Sequence, residues 1–292
     1  MRAQGQSEGE YIALEQMKDD ERLRAKPKAL LFDLDGTLYR GNELVPGADR
    51  LIAKLTSAGM PCWFVTNNST RTPAEVALHM KHLGIEAAEQ NVVTSAMAAA
   101  YYVKNHHPEA DTFVIGEHGL HEALKDAGMR IVSEADERPA SIVVQGLDRQ
   151  LTYERLRVGI SHLLTGAAFV QTNPDRLLPM EGGFLPGAGT IGAALEAATG
   201  IKPVVIGKPS SILMDYALQL AGAAPSSAWV IGDNPYTDIA AGNNAGCPSI
   251  LVLTGYCDAD SWERECAAAG AVPQAVCDNL DDLEKLIDEV GR

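Results

Sequence analysis

The sequence of 292 residues lacks any run of about 18 apolar residues, the length that a membrane-spanning helix requires. Residues 1–27 are polar and of mixed charge, and they contain no apolar stretch of the signal-peptide type. These two absences predict a cytoplasmic protein that has no membrane partner.

Cysteine is scarce, and its spacing follows no pairing pattern. No two of the five cysteines form a C-x-x-C motif, and the chain also lacks the H-E-x-x-H pattern of zinc hydrolases. A disulfide framework and a zinc site are therefore not expected. The thiols are expected to be reduced and structural, as in a reducing compartment. They are Cys62, Cys247, Cys257, Cys266 and Cys277.

Basic residues are also in short supply. Lysine and arginine together number 24, against 39 aspartates and glutamates, which gives a formal net charge of −15 at pH 7. Nucleic acid as a general partner is therefore not expected, because a phosphate backbone requires a basic face. An anionic substrate would need local cations to overcome the repulsion of the whole chain.

Short apolar runs are abundant, and they alternate with longer helical stretches. Runs such as "MPCWFVTNN", "ASIVVQG" and "SAWVIGD" are almost continuously apolar, which is typical of strands covered on both faces. Several of the helical stretches between them end in glycine. The pattern predicts an α/β fold with a mostly parallel sheet.

Polar residues mark the ends of four of these runs. They are Asp33-x-Asp35, Thr66-Asn67-Asn68, Gly207-Lys208-Pro209 and Gly232-Asp233. Ligands of open parallel sheets bind at the carboxyl ends of the strands, so the four ends predict one shared site.

The domain organisation follows from the strands that lie between the second and third of these ends. Their position predicts an inserted α/β cap at residues 96–202. Residues 28–95 and 203–292 are then expected to form the core, and residues 1–27 an N-terminal extension.

The carboxylate pair Asp33 and Asp35 can do the chemistry of phosphoryl transfer. An ionised aspartate is a nucleophile toward phosphorus, and a second carboxyl group can protonate the leaving group and later deprotonate water. Clustered carboxylates are tolerated where a hard cation offsets them, and Mg²⁺ commonly binds one or two carboxylates together with substrate phosphate. The sequence therefore predicts Mg²⁺ as cofactor.

The other strand ends supply the remaining groups of such a site. Asp233 is a further oxygen ligand, and Asp238 is placed to orient a metal-bound water or to hold Lys208. The Thr66 hydroxyl and the Asn67 backbone N–H suit a phosphate oxygen, and Lys208 suits its charge. Each motif alone has a structural interpretation as a helix cap or turn, so the prediction rests on all four together.

The stretches "DLDGTL", "VTNNSTRTP", "VIGKPS" and "VIGDNPYTDIAAGNNAG" closely resemble the four motifs of the haloacid dehalogenase superfamily. The stretches "GEHGL" and "VVQGLDRQLTYERL" resemble the cap of 4-nitrophenylphosphatase-like and pyridoxal-phosphate-phosphatase-like enzymes. The resemblance runs from about residue 28 to residue 254. It implies a Rossmann-like core, an α/β cap and Mg²⁺-dependent hydrolysis of a small-molecule phosphomonoester. It is also consistent with a homodimer formed through the cap.

The resemblance implies a role for each matching position. Asp33 would be the nucleophile and Asp35 the acid/base. Metal ligands would be the Asp33 carboxylate, the Asp35 backbone carbonyl and Asp233. Asp238 would lie behind them in a supporting position. The phosphate-binding residues would be Thr66, Asn67, Asn68 and Lys208.

Three other functions remain open from the sequence. "GAGTIG" matches the G-x-G-x-x-G of dinucleotide enzymes at Gly187, Gly189 and Gly192, although no acidic residue follows at the expected distance. A dehalogenase would need only the nucleophile, which leaves Asp35 and Asp233 without a purpose. A non-hydrolytic phosphometabolite-binding protein would need neither nucleophile nor acid/base.

The substrate is the point that the sequence leaves open: sugar phosphates, nucleoside monophosphates, phosphoglycolate, glycerol phosphate and pyridoxal phosphate all remain candidates. Residues 172–184, "TNPDRLLPMEGGF", form a candidate specificity loop, in which Asn173, Asp175, Arg176 and Phe184 would select the leaving group. A plain strand-to-helix connection is the alternative for the same segment.

Overall fold

The structure is a computed structural model that describes residues 21–136, 138–180 and 182–290. Most of the predicted N-terminal extension, residues 1–27, therefore lies outside the described residues. In chain order the strands are β1 (Ala29–Phe32), β2 (Tyr39–Arg40), β3 (Glu43–Leu44), β4 (Cys62–Thr66), β5 (Val92–Thr94), β6 (Asp111–Ile115), β7 (Arg130–Val132), β8 (Ile142–Gln145), β9 (Ala168–Gln171), β10 (Leu177–Met180), β11 (Gly183–Pro186), β12 (Val204–Val205), β13 (Ala228–Gly232), β14 (Ser249–Val252) and β15 (Ala275–Cys277).

The helices follow most strands and connect them. In chain order they are α1 (Ala48–Ser57), α2 (Pro73–His82), α3 (Ser95–His106), α4 (His118–Asp126), α5 (Tyr153–Leu164), α6 (Ala188–Thr199), α7 (Ser211–Ala221), α8 (Ala240–Ala245), α9 (Trp262–Ala269) and α10 (Leu280–Glu289). Short 3₁₀ turns and one π-helical turn, Pro235–Ile239, complete the elements. In the described part of the chain, no helix is both long and apolar enough to span a membrane.

The larger sheet has six parallel strands in the order β15-β14-β13-β1-β4-β5. Strand β1 lies between β13 and β4, and its last residue, Phe32, pairs with Ile231 on one side and Phe64 on the other. All four residues of β1 are buried, as its continuous apolar sequence predicts for a central strand. This register brings the residues that follow β1, β4 and β13 to one edge of the sheet.

The smaller sheet has five parallel strands in the order β12-β9-β8-β6-β7. The α/β class and the mostly parallel sheets are confirmed. Strand β12, which precedes Lys208, pairs with Val170 and Gln171 of β9. The strand leading to Lys208 thus belongs to the smaller sheet and not to the sheet of Asp33. The exact division of the chain into domains stays a prediction.

One hydrophobic cluster joins the two sheets. It contains Leu31 and Val93 of the larger sheet, Val144 and Val170 of the smaller one, and the alanine-rich face of α3. Alanine has no side chain beyond Cβ and is the best helix former, so α3 packs closely against both sheets. All five cysteines are buried and unpaired, as expected.

Candidate active site

Three neighbouring strands of the larger sheet bring their polar ends together. Asp33 follows β1, Thr66 ends β4, and Asp233 follows β13. The Asp33 backbone N–H donates to the carbonyl oxygen of Ile231 at 2.8 Å, which extends the sheet pairing to the aspartate itself. The position of the Asp33 carboxylate is therefore fixed by the centre of the sheet, as the sequence motifs predict.

Lys208 lies beside Asp33 although it comes from the smaller sheet. Its ammonium donates to Oδ1 of Asp33, to Oδ1 of Asp238 at 2.6 Å and to the carbonyl oxygen of Val65 at 3.2 Å. Its side chain is only 2% exposed. Burial alone would lower the pKa of this amine, but Asp238 and Asp33 raise it above its usual value. Lys208 is therefore a buried, permanently charged cation in contact with the predicted nucleophile.

Three carboxylates surround this one cation. Oxygen atoms of Asp33, Asp233 and Asp238 all lie within 4.8 Å of one another. The Thr37 hydroxyl lies between two of them, 3.2 Å from Asp33 Oδ2 and 3.3 Å from Asp233 Oδ1. Asp238 is further held by the Asn234 backbone N–H, which donates to its Oδ2 at 3.1 Å.

The raised pKa values of Asp33 and Asp233 indicate that the negative charge around Lys208 is incompletely balanced. Burial and the neighbouring Asp238 raise the pKa of Asp33 well above its ordinary value, against the opposing effect of Lys208. The same two causes raise the pKa of Asp233 to about 7. Buried oxygen ligands with excess negative charge are a donor set that fits a hard divalent cation. The side-chain cluster among the described residues contains Asp238 beside Asp33 and Asp233. The backbone carbonyl of Asp35, which the family resemblance implies as a further ligand, stays a prediction.

Asp35 faces a separate cavity of about 150 Å³. The lining residues are Asp35, Tyr39, Gly41, Asn42, Thr66, Asn68, Arg71, Val76 and His79. The side chain keeps access to solvent, yet the protein around it displaces enough water to raise the pKa of Asp35. The positive groups of His79 and Arg71 act in the opposite direction. Asp35 therefore holds a proton more readily than a free aspartate, as a general acid requires.

Asn67 connects the loop after β4 to the lysine. Its side chain accepts a hydrogen bond from the Lys208 backbone N–H at 2.8 Å and donates to the Lys208 carbonyl oxygen at 3.0 Å. The same amide nitrogen donates to Asp175 Oδ2 at 3.1 Å. The side chain of Asn67 thus positions Lys208, which leaves only its backbone N–H for the predicted phosphate contact.

The other two residues of this loop stay at the cavity. The Thr66 hydroxyl accepts a hydrogen bond from the Asn68 backbone N–H at 3.1 Å, and both residues line the cavity wall. Asn68 Oδ1 accepts from the backbone N–H of Thr70 at 2.8 Å, which closes the turn before α2. Asn68 therefore forms a structural hydrogen bond in this turn, in addition to its predicted role in phosphate binding.

The predicted specificity residues separate into two pairs. Asn173 is buried and donates to the Asn67 carbonyl oxygen at 2.9 Å, and burial raises the pKa of Asp175 beside Asn67. Arg176 and Phe184 are exposed, and Phe184 is 67% accessible on the hairpin of β10 and β11. The structure brings Asn173 and Asp175 to Asn67, whose side chain bonds the Lys208 backbone, whereas Arg176 and Phe184 do not line the cavity.

Glycine is required at two positions next to the carboxylates, because a larger side chain would collide with them. A Cβ at Gly36, whose φ is +95°, would lie 2.3 Å from Asp233 Oδ2. A Cβ at Gly255 would lie 2.1 Å from the same oxygen. The "GAGTIG" glycines have a comparable explanation, because Cβ atoms at Gly187 and Gly189 would meet backbone carbonyl groups of residues 174 and 175 within 2.1 Å. Close packing of α6 thus accounts for that motif.

Six of the nine lining residues were missed by the sequence reasoning, and three of them carry polar side chains that bear on Asp35: Tyr39, Arg71 and His79. Arg71 begins the segment that leads into α2, and His79 lies within α2, where its Nε2 is 2.9 Å from the Gly41 carbonyl oxygen. Tyr39 packs edge-on against His79 with a centroid distance of 5.1 Å. The only signal in the sequence was the position of Arg71 five residues after Thr66, in the "NNSTRTP" stretch.

Comparison with known proteins agrees with this geometry. A family model described as haloacid dehalogenase-like hydrolase matches residues 30–130, and a HAD-hydrolase-like model matches residues 205–283. The chain is 43% identical over 228 residues to an acid sugar phosphatase of Staphylococcus epidermidis, covering 78% of this chain and 87% of that protein. It is 42% identical to the 5′-nucleotidase YutF of Bacillus subtilis, covering 78% and 88%.

Solved structures extend the similarity to the fold. The p-nitrophenyl phosphatase from Archaeoglobus fulgidus superimposes with a TM-score of 0.83 at 32% identity, over 89% of this chain and 99% of that chain. A thermostable NPPase from Geobacillus stearothermophilus gives a TM-score of 0.81 at 38% identity, over 88% and 98%. The chain therefore belongs to the haloacid dehalogenase-like hydrolases, in the group of small-molecule phosphatases that contains the 4-nitrophenylphosphatases.

Proposed function

We propose that the protein hydrolyses a small-molecule phosphomonoester through an aspartyl-phosphate on Asp33, with Mg²⁺ as cofactor. One observation carries the proposal: the Asp33 carboxylate is held at the centre of the sheet in direct contact with the buried ammonium of Lys208. The contact opposes burial and the neighbouring Asp238, which both raise the pKa of Asp33. It also puts a fixed positive charge beside the atom that would attack phosphorus.

In the first step, Asp33 attacks phosphorus and the bond to the leaving oxygen breaks. Lys208 and the Thr66 hydroxyl stabilise the negative charge of the phosphoryl oxygens. Asp35, protonated at the edge of the cavity, gives its proton to the leaving oxygen, so the alcohol departs neutral. Asp33 is left as an acyl phosphate, the aspartyl-phosphate intermediate.

In the second step, water replaces the aspartate on phosphorus. Asp35 is now ionised and accepts a proton from the attacking water, which restores its starting state. Phosphate leaves, and the Asp33 carboxylate returns to its contact with Lys208. Asp238 does not touch the substrate in this scheme and acts by holding the ammonium at 2.6 Å.

The clustered carboxylates support the metal. Asp33, Asp233 and the Asp35 backbone carbonyl would hold Mg²⁺, with Asp238 behind them. A bound Mg²⁺ would offset the charge of the carboxylates and of the phosphoryl group. The relatives named acid sugar phosphatase and 5′-nucleotidase support a small phosphate ester as substrate. A carbon–halogen substrate would leave the cluster without a role.

Four further predictions belong to the same proposal. The insert at residues 96–202 acts as the cap, and the loop at 172–184 contributes to selectivity through Asn173 and Asp175. The unpaired thiols favour a cytoplasmic location. A homodimer is expected from the family resemblance and is tested by sedimentation.

Two aspartate variants test the mechanism. Asp33→Asn should abolish turnover of 4-nitrophenyl phosphate, because an amide is a poor nucleophile. Asp35→Asn should still release nitrophenolate, which departs without a proton, and then stop at the phosphoenzyme. Rapid mixing should therefore show a burst of about one equivalent of nitrophenolate per active site.

The matched control is Asp260→Asn, an identical change at an exposed residue, which should turn over normally. A sugar phosphate should show no burst with Asp35→Asn, because its alkoxide needs the proton. Equal slowing of both substrates without a burst would refute the role of Asp35. Normal turnover by Asp33→Asn would refute the whole proposal.

A further inference from the structure

Asp175 lies where the segment after β9 reaches the loop after β4. Its side chain is partly buried, and its Oδ2 accepts a hydrogen bond from Asn67 Nδ2 at 3.1 Å. Burial raises the pKa of this carboxyl group, against the Asn67 hydrogen bond and the charge of Lys208. The described residues that line the cavity of Asp35 do not include Asp175. A carboxylate in this place is therefore suited to a task other than contact with the leaving group.

The amide group of Asn67 is fully used by its neighbours. Its Nδ2 carries two N–H groups and donates to the Lys208 carbonyl oxygen at 3.0 Å and to Asp175, while Oδ1 accepts from the Lys208 backbone N–H at 2.8 Å. An amide turned over by 180° would place Oδ1 against two acceptors and Nδ2 against a donor. Because a carboxylate only accepts hydrogen bonds, Asp175 favours the one orientation in which Asn67 bonds both backbone groups of Lys208.

The backbone of Asp175 is itself fixed by neighbouring elements. Its carbonyl oxygen accepts from the Gly189 backbone N–H, in the first turn of α6, at 2.8 Å. Its own N–H donates to Asn173 Oδ1 at 3.2 Å, and Asn173 Nδ2 donates to the Asn67 carbonyl oxygen at 2.9 Å. A Cβ at Gly187 would lie 2.1 Å from the Asp175 carbonyl oxygen, so the start of α6 packs directly against it. Asp175 therefore holds Asn67 from a rigid support.

Lys208 needs this support because it lies at the end of a strand pairing. The Gly207 backbone N–H still donates to the Thr172 carbonyl oxygen, at 2.8 Å, as a continuation of the pairing of β12 with β9. The next backbone N–H, that of Lys208, is bonded by the Asn67 side chain instead. The ammonium of the same residue bonds Asp33. A displacement of about 1 Å at a catalytic group can cost about 100-fold in rate, so the backbone of Lys208 has to be held accurately.

From these contacts we infer that Asp175 is a positioning residue of the phosphatase, which orients the Asn67 amide and through it fixes the backbone of Lys208. The inference rests on the proposed phosphatase function and adds a residue that acts without touching the substrate. The segment after β9 then contributes to the chemical step as well as to selectivity. Loss of Asp175 should lower kcat more than it raises KM, because the ammonium of Lys208 bonds the nucleophile.

Two substitutions separate the hydrogen bond of Asp175 from its charge. Asp175→Ala removes the acceptor and should lower kcat for 4-nitrophenyl phosphate about tenfold, the value of one hydrogen bond. Asp175→Asn removes the same charge but keeps an acceptor oxygen, so it should keep most of kcat. The control is Asp126→Ala, which removes a charge from an exposed position at the end of α4 and should turn over normally.

A double-variant cycle tests the dependence on Asn67. Asn67→Ala should lower kcat at least as much as Asp175→Ala, and adding Asp175→Ala to it should cause no further loss. If the two losses multiply in the double variant, Asp175 acts independently of Asn67 and the inference is refuted. It is also refuted if Asp175→Ala keeps normal kcat, or if Asp175→Asn loses as much as Asp175→Ala.

Urea unfolding shows whether Asp175→Ala is folded. If it is not, Asn67→Asp replaces it in the test, because the introduced carboxylate faces Asp175 without a donor and should lower kcat. Adding Asp175→Asn supplies a donor N–H and should restore part of kcat, and no recovery would overturn the inference. A wild type that is inactive toward 4-nitrophenyl phosphate would refute the proposed function itself, and the inference with it, whereas an active wild type tests Asp175 alone.

Discussion

Replacement of Lys208 by methionine should reveal how much free energy the buried ion cluster holds. Methionine fills a similar volume and cannot donate a hydrogen bond. The change leaves the carboxylates of Asp33 and Asp238 without the ammonium that bonds both of them. Breaking a buried ion pair by removing one partner costs about 3–5 kcal/mol, so Lys208→Met should lower the free energy of unfolding by that amount.

The hydrogen bonds that remain in Lys208→Met indicate which carboxylate accounts for most of the lost free energy of unfolding. Within the described residues, Asp238 is 2% exposed and keeps only the Asn234 backbone N–H as a side-chain hydrogen-bond donor. Asp33 is 11% exposed and keeps the Thr37 hydroxyl. Asp238 should therefore account for the larger share. Adding Asp238→Asn to Lys208→Met removes this unpaired charge and should restore about 1.5–3 kcal/mol.

Urea unfolding of four proteins measures this coupling: the wild type, the two single variants and the double variant. The solutions contain chelator at neutral pH, so that no added metal replaces the lost ammonium. Lys54→Met is the control, because Lys54 pairs with Glu284 and Asp288 on the open surface and should contribute little.

Additive single effects would refute the reasoning. If the double variant equals the sum of the two single variants within about 0.5 kcal/mol, Lys208 and Asp238 act independently. Unchanged stability of Lys208→Met would show that the cluster does not depend on the ammonium at all.

Three other outcomes are expected. A chelator should abolish turnover, and added Mg²⁺ should restore it. Ca²⁺ should restore it poorly, because its larger and looser coordination shell would misplace the carboxylates. Full activity in excess chelator would contradict the metal prediction. In chelator, Asp233 binds its proton more tightly in the folded state. Its contribution to stability, on the order of 4 kcal/mol, should therefore be lost as pH rises between the ordinary pKa of 3.8 and about 7. Asp233→Asn should make that slope shallower in urea titrations, and the raised pKa values of Asp33, Asp35 and Asp175 should maintain the rest. Gly36→Ala should displace Asp233 and lower kcat about 100-fold. The control is Gly59→Ala, which should not lower kcat, because Gly59 also has a positive φ but no atom lies close to its Cβ position. Equal effects of the two substitutions would rule out the collision with Asp233 as the cause.

The α/β class and the strand ends that carry the site residues could be predicted because they depend on local patterns. An apolar run followed by Asp33 or Asp233 identifies a strand end, and parallel strands bring their ends to one edge. That these aspartates would lie close to Lys208 could be predicted because all four motifs supply groups for the same reaction, phosphoryl transfer.

The remaining features depend on distances that no local pattern contains. Val204 and Val205 are as apolar as residues of either sheet, so their pairing with β9 could not be read from composition. The side chain of Asn67 reaches Lys208 across 141 positions of sequence. Arg71 looks like an ordinary residue before a helix, and only the folded chain shows that it shares a cavity with Asp35.

The attachment of Lys208 to the smaller sheet limits how this enzyme can be re-engineered. Exchange of residues 96–202 for the cap of a relative would cut the chain before β12, and the foreign β9 would then have to pair with the resident Val204–Val205. A mismatch of one residue in that pairing would turn the segment over and move the ammonium away from Asp33. Chimeras should therefore be joined beyond Pro209, so that each donor cap brings its own lysine together with the edge strand that carries it.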